Sequence, residues 1–222
     1  MSSEERFDIY DDDGSPIGTA SRKDVHRLGY WHHTFHCWLA RRMPDGRTAV
    51  LFQRRAESKD TNPGCFDITV AGHLSAGETL QDAVREMDEE IGWSVPFERL
   101  VPFGTIRENA SGELRGVPYI DREISHVFGC LTSHPLNRFK LQEEEVAGIY
   151  ECDAERLIDL MEGRIAAAQA DGFRLGKIGL SESSATLRVS DFVPRDLSYY
   201  VDVFRFLLSL TERGEIDSFD KP

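Results

Sequence analysis

Gly72-His73-Leu74-Ser75-Ala76-Gly77-Glu78, followed by Thr79-Leu80-Gln81-Asp82-Ala83-Val84 and then Arg85-Glu86-Met87-Asp88-Glu89-Glu90-Ile91-Gly92-Trp93, is the stretch that decides the fold. Its second half reads as a helix, because Leu80, Ala83, Val84, Met87 and Ile91 recur at helical spacing and form one apolar stripe. Thr79 can cap the start, and Gly92 closes the pattern as a C-terminal glycine does. Glu86, Glu89 and Glu90 stand at i, i+3 and i+4, so the three carboxylates share a face. Like charges at that spacing destabilise a helix, and a hard divalent cation with oxygen ligands offsets them. Mg²⁺ is held in this way, by a few carboxylates together with substrate phosphates. The glycine-bearing loop lets backbone approach a ligand near the helix start. The competing reading is an acidic helix face that is simply solvated.

The remaining composition suits one soluble enzyme domain of 222 residues with net charge −13. No basic stripe is present to neutralise a nucleic-acid backbone, so nucleic acid is not an expected partner. Cys37, Cys65, Cys130 and Cys152 are scattered without a CxxC pair, and the start Met1-Ser2-Ser3-Glu4-Glu5-Arg6 is not a signal peptide. No apolar run is long enough to span a bilayer. Reduced thiols in a cytoplasm are the expectation.

Along the chain the elements alternate in type. Phe7 to Tyr10 and the segment near Ile17 read as strands around an acidic turn, and Ser21 to Arg27 as a helical turn. Thr34 to Ala40 and Thr48 to Gln53 read as a hairpin around Pro44-Asp45-Gly46, and Asp67 to Ala71 as a strand feeding the decisive stretch. Strands near Leu100 to Ile106 and Ile124 to Leu131 are expected to flank a polar loop, Arg107 to Gly116. Ala154 to Met161 reads as a helix ending at Gly163, with further helix over Ile165 to Ala170. Tyr200, Val203, Phe204, Leu207 and Leu208 give a last helical stripe, suited to core or to a homodimer contact. An α+β fold with a mixed sheet between helices follows, with a helical C-terminal extension over residues 153–222.

The decisive stretch resembles the Nudix box: G, five residues, E, seven residues, then R-E-U-x-E-E-x-G-U, with U apolar. Gly72, Glu78, Arg85, Glu86, Met87, Glu89, Glu90, Gly92 and Trp93 match by type, although only six residues separate Glu78 from Arg85. The resemblance implies an α/β/α sandwich built on a loop-helix-loop box spanning residues 72–93. It also implies hydrolysis of a diphosphate bond in a small molecule, with Mg²⁺ or Mn²⁺ on Glu86, Glu89 and Glu90. The shortening is expected to be absorbed around Glu78 to Gln81, since a deletion inside a helix rotates what precedes it by about 100°.

A wider stretch, Phe7 to Glu151, is similar to the branch that contains isopentenyl-diphosphate isomerase. Leu51 to Lys59, Pro63-Gly64 and Val70-Ala71-Gly72-His73 carry that likeness. It assigns diphosphate contact to Arg55 and Lys59, a guanidinium fork and an ammonium point charge. The alternative is two exposed charges after a strand. In the isomerase a cysteine precedes the Gly-His pair and exchanges a proton with the carbon skeleton. Ala71 stands there in this chain and Cys65 is six residues away, so the resemblance implies hydrolysis rather than isomerisation.

By the same likeness a second metal, Zn²⁺ or Mn²⁺, would be held by His26, His32 or His33, His73, Asp121 and Glu123. Spacing alone does not choose between His32 and His33, and the histidines could equally be structural, as His36 beside Trp38 is read. The run Glu143-Glu144-Glu145 aligns with an acidic segment of the family. There Glu145, next to apolar Val146, is a candidate general base alongside Glu89 and Glu90, with a solvated charge run as the bland alternative.

Overall fold

The computed structural model describes residues 5–114 and 116–214, so Met1 to Glu4, read above for a leader, lie outside the described residues. The chain opens with the hairpin β1 (Arg6–Tyr10) and β2 (Pro16–Ser21), followed by α1 (Arg22–Leu28). Ser21 caps that helix by accepting from Asp24 N, and Gly29 ends it at φ 70°. Next come β3 (Trp31–Arg42), β4 (Thr48–Arg55), and two short strands, β5 (Phe66–Asp67) and β6 (Val70–His73). The box helix is α2 (Arg85–Ile91). Then follow β7 (Val101–Leu114), β8 (Val117–Leu131), β9 (Val146–Asp153), α3 (Ala154–Met161), β10 (Ala168–Gly176), β11 (Gly179–Leu187) and α4 (Leu197–Arg213).

Among the described residues the strands join in one mixed sheet, with main path β11-β10-β9-β4-β3-β1-β2. The β3–β8 pair is parallel, and the other pairs are antiparallel. β3 is the axis of the molecule. It pairs with β4 over Leu39–Arg42 and with β6 over Thr34–Cys37, so the sheet divides beside Leu39. β6 enters that division and delivers the box loop at its end.

Alternation along β3 sends its side chains into two layers. Phe35, Cys37 and Leu39 meet Met87 and Ile91 of α2. Trp38 and Ala40 meet Leu157 of α3 and Phe204 and Leu207 of α4. Each of these large side chains is buried, and such burial stabilises by about 1.5–3 kcal/mol. The expected stripe of α4 is therefore core: Tyr200, Val203, Phe204 and Leu207 are at most 1% exposed, and Leu208 packs partly buried beside them.

Four expectations change. Of the polar loop expected over Arg107 to Gly116, Arg107 to Leu114 is strand, the outer part of a β7–β8 ribbon paired from Val101↔Gly129 to Leu114↔Val117. Its residues read as loop because the ribbon's outer end is not packed in the core, which removes the apolar signal of a strand. The single strand expected over Asp67 to Ala71 is two, β5 on β4 and β6 on β3, since the sheet divides there. Further helix after Gly163 is replaced by β10 and β11, so the segment after residue 153 is not wholly helical. Pairing with β9 through Asp171↔Glu151 to Arg174↔Gly148 overrides local propensity there. Lastly, α2 starts at Arg85, preceded by a 3₁₀ turn over Asp82–Val84.

Candidate active site

The 3₁₀ turn over Asp82–Val84 joins the box loop to α2, directly after Glu78 to Gln81, where the shortening is expected. Thr79 and Asp82 brace it reciprocally: Asp82 N–H donates to Thr79 Oγ1 (3.3 Å) and Thr79 N–H to Asp82 Oδ2 (2.8 Å). A 3₁₀ segment turns tighter than an α-helix, so Glu78 still reaches Arg85. Their carboxylate and guanidinium form a two-pronged pair at 2.8 and 3.0 Å. Glu78 also accepts from Ser75 N–H at 2.7 Å. Arg85 Nη1 donates in turn to Glu86 Oε1 (2.7 Å) and Glu89 Oε2 (2.8 Å), so one arginine orients three carboxylates.

Glu86 and Glu90 turn inward, and Glu89 faces outward with half its side chain exposed. Glu86 lies directly against Gly72, whose lack of a side chain makes the space. Glu90 Oε2 accepts from Gln53 Nε2 (3.2 Å) and from Ala71 N–H (3.3 Å). Burial pushes the Glu86 carboxyl up to about 7, a rise that Arg85 only partly opposes. Burial and the neighbouring Glu86 push Glu90 well above its ordinary range. Two neighbouring desolvated carboxylates, the inner one raised further by the other, are a poor arrangement without a cation and a suitable donor pair with one.

The acidic loop joins this group. Gln142 N–H donates to Glu90 O, and Ala56 N–H to Glu145 O, both at 2.9 Å. Glu145 is ion-paired with Lys59, and both act electrostatically on Glu90. Arg55 sits otherwise than its expected role suggests. It pairs with buried Asp67 at 3.0 Å and donates twice to the Thr61 carbonyl, with its side chain only 14% exposed. Lys59 therefore stands at the carboxylates, whereas Arg55 braces the turn beneath it.

The histidines converge. His26 Nε2 lies 3.3 Å and His32 Nε2 3.7 Å from Asp121 Oδ1, and His73 Nε2 lies 3.7 Å from Glu123 Oε1. Ligand atoms of His26, His32 and His73 all fall within 4.8 Å of one another, as do those of His32, Asp121 and Glu123. The Phe7 ring stacks on His32 and His73, fixing both planes. Ring-to-carbonyl bonds from His26 Nδ1 to Arg22 O (2.8 Å) and from His32 Nδ1 to Tyr30 O (3.2 Å) leave both Nε2 atoms facing the cluster. Burial lowers His32 to about 4 and depresses His73 as well, which keeps both rings neutral and their lone pairs available. His32 Nε2, His73 Nε2 and Asp121 Oδ1 are buried without a hydrogen-bond partner. Orphaned atoms of this kind, converging from imidazoles and carboxylates, fit a Zn²⁺ or Mn²⁺ ion.

The choice between His32 and His33 is made by strand alternation. His33 points to the opposite face and meets His126 at 2.6 Å, with Tyr10 edge-on to its ring. Further residues on the His32 face lie outside the expected site: the sequence does not single out Thr34, Glu108 or Arg195, and His36 reads as structural. Thr34 and His36 follow it on β3 in the same two-residue step, and in pairing register His36 lies across from Ala71. Glu108 lies across from Glu123. Arg195, preceding α4, ion-pairs Asp67 at 2.6 Å and Glu108 at 3.3 Å. The two-residue repeat His32, Thr34, His36 was a usable signal, but nothing local marks Arg195.

Comparison with known proteins matches the NUDIX domain over residues 32–173. An uncharacterized Nudix hydrolase of Clostridium acetobutylicum is 37% identical over 206 residues, covering 92% of this chain and 98% of that protein. An isopentenyl-diphosphate Delta-isomerase of Mycolicibacterium vanbaalenii is 41% identical over 95 residues, covering 42% of this chain and 50% of that enzyme. Among solved structures, a protein of Deinococcus radiodurans shares the fold with a TM-score of 0.52 at 19% identity, covering 72% of this chain and 90% of that one.

Proposed function

Because this chain belongs to the NUDIX domain family of hydrolases, which generally use divalent metal ions, we propose that it hydrolyses a diphosphate bond in a small organic molecule with Mg²⁺ or Mn²⁺ bound at the box. The observation that carries this reading is the inward-facing pair of half-buried Glu86, set by Arg85 and Gly72, and buried Glu90, set by Gln53 and Ala71, beside outward-facing Glu89. Nucleoside diphosphate derivatives and other organic diphosphates are the substrate class.

In this reading Glu86 and Glu90 hold the cation, with Glu89 completing the set from the exposed side. The ion, when bound, neutralises phosphate charge and acidifies the attacking water. Glu89, Glu90 and Glu145 are the groups in place to accept the proton of that water. Lys59, already between carboxylates, exchanges Glu145 for a phosphate oxygen and stabilises charge gathering there. Arg55 serves the diphosphate by holding the turn that carries Lys59. Products are two phosphate-bearing fragments, or a monophosphate and orthophosphate where the diphosphate is terminal.

We assign the second cation, Zn²⁺ or Mn²⁺, to His26, His32, His73, Asp121 and Glu123. That donor set also favours an alternative, isopentenyl-diphosphate isomerisation, but Ala71 supplies no proton-exchanging group. A panel of organic diphosphates scored for phosphate release and for double-bond migration tests both. Mg²⁺-dependent phosphate release, reduced by orders of magnitude in Glu89→Gln, is the expected result. Isomer without phosphate, or full activity in that variant, overturns the hydrolase reading.

A further inference from the structure

We infer that the same sheet face carries one more cation position, made by His36, Glu108 and Glu123, so that Glu123 is shared between two bound ions. It rests on the proposed function only in that Glu123 also belongs to the histidine cluster.

His36, Glu108 and Glu123 each bring a ligand atom within 4.8 Å of the other two. The three come from adjacent strands. Glu108 of β7 faces Glu123 of β8 across the ribbon, and β8 runs parallel to β3, which carries His36. His36 is only 2% exposed, and its ring is set by its neighbours. Nδ1 lies 3.4 Å from the Tyr199 hydroxyl, which itself accepts from Trp38 Nε1 at 3.0 Å. In the tautomer that carries its hydrogen on Nδ1, that hydrogen goes to the Tyr199 oxygen and Nε2 carries the lone pair, which is the form a cation would select. The polar atom beside Nε2 is Thr34 Oγ1 at 3.5 Å, whose hydrogen goes to Ser125 Oγ at 2.9 Å. Nε2 thus receives no proton from Thr34. An imidazole oriented through its far nitrogen, with the near one open, is the form a metal-ligating histidine takes.

Arg195 is the charge that could oppose a cation. Its guanidinium lies closer to Asp67 (2.6 Å) than to Glu108, where Nε meets Oε1 at 3.3 Å. Nitrogen with oxygen donors favours Zn²⁺ or Mn²⁺. Glu108 lines a cavity of about 600 Å³ between β7 and the start of α4, together with Ile106, Arg195 and Tyr199.

The test is a zinc count. Chelator-stripped full-length protein is equilibrated with Zn²⁺ in millimolar Mg²⁺, which keeps the box filled. It is then passed through a desalting column and analysed by atomic emission. The expected result is about two equivalents for the wild type, falling by one in His36→Gln and by one in Glu108→Gln. The second variant guards against misfolding of the first, because Glu108 is not fully buried. An unchanged count in folded Glu108→Gln, or loss of all zinc from it, overturns the proposal. His26→Gln, which touches the histidine cluster alone, separates the two readings. If it leaves the count unchanged while Glu108→Gln lowers it, the histidine-cluster reading fails and this one stands.

Discussion

Glu86 occupies the space that a side chain on Gly72 would need. A Cβ on Gly72 would stand 2.2 Å from Glu86 Cδ and 2.4 Å from its Oε1. The glycine is not required by its backbone angle, since Gly72 is absent from the positive-φ glycines. It is required by a carboxylate lying on the main chain. Gly72→Ala should therefore fold, displace Glu86, and lower kcat by about 10²-fold, the scale set by an ångström of misplacement at a reacting centre. Steady-state kinetics alongside a thermal melt checks it, and wild-type kcat in the variant would contradict the contact's role.

Metal affinity at the box should depend on pH. Glu86 is pushed up to about 7 by burial, and Glu90 is pushed up by burial and by Glu86. The metal-free folded state thus holds protons that the unfolded chain has already lost. Its stability falls as pH rises from the ordinary carboxylate range through about 7, and a bound cation reverses that loss. Mg²⁺ affinity should weaken below this range by about tenfold per pH unit for each proton displaced. Calorimetry in two buffers of different ionisation enthalpy measures the protons released. A flat affinity between pH 5.5 and 8, about the span of the histidine and carboxylate transitions, would refute it.

Asp67 is the anchor of a buried charge group. It is 1% exposed and pairs with Arg55 at 3.0 Å and Arg195 at 2.6 Å. Burial raises its carboxyl, and the two guanidinium groups outweigh that and hold it below the usual range. Asp67→Ala leaves both cations without their partner and should cost about 3–5 kcal/mol of stability. Chemical denaturation is the measurement, with a loss of under about 1 kcal/mol marking the group as solvent-compensated.

Isopentenyl diphosphate should bind without isomerising. Ala71 offers no exchangeable proton at the position where the resembling isomerase carries its cysteine, and loss of a general acid or base costs about 10² to 10⁴ in rate. Incubation in D₂O with mass analysis is the sensitive assay. Deuterium incorporation by the wild-type chain that disappears in Glu123→Gln would show that another group replaces the missing acid.

The box was legible because its information is local. Apolar spacing placed Ala83, Val84, Met87 and Ile91 on the buried side, and all are at most 8% exposed. The carboxylate spacing put Glu86 and Glu90 on the inward side, but Glu89, expected on the same face, turns outward on Arg85. The helix start was less legible, because the turn that replaces its first residues depends on the Glu78–Arg85 pair, seven positions apart and closed only in three dimensions.

Helical and strand periods, capping residues and charge spacing are properties of short windows, and from them the sequence by itself determined the box, its family and most elements around it. Which faces meet is not such a property. Tertiary structure alone turned His32 rather than His33 toward His26 and Asp121, because a strand's alternation has no outward direction until it is paired. It alone tied Arg55 to Asp67, and brought Arg195 to Glu108, 87 positions apart in the chain. These contacts rest on where β3, β7, β8 and α4 come together, and burial across the whole sheet, rather than any neighbouring residue, sets that meeting place.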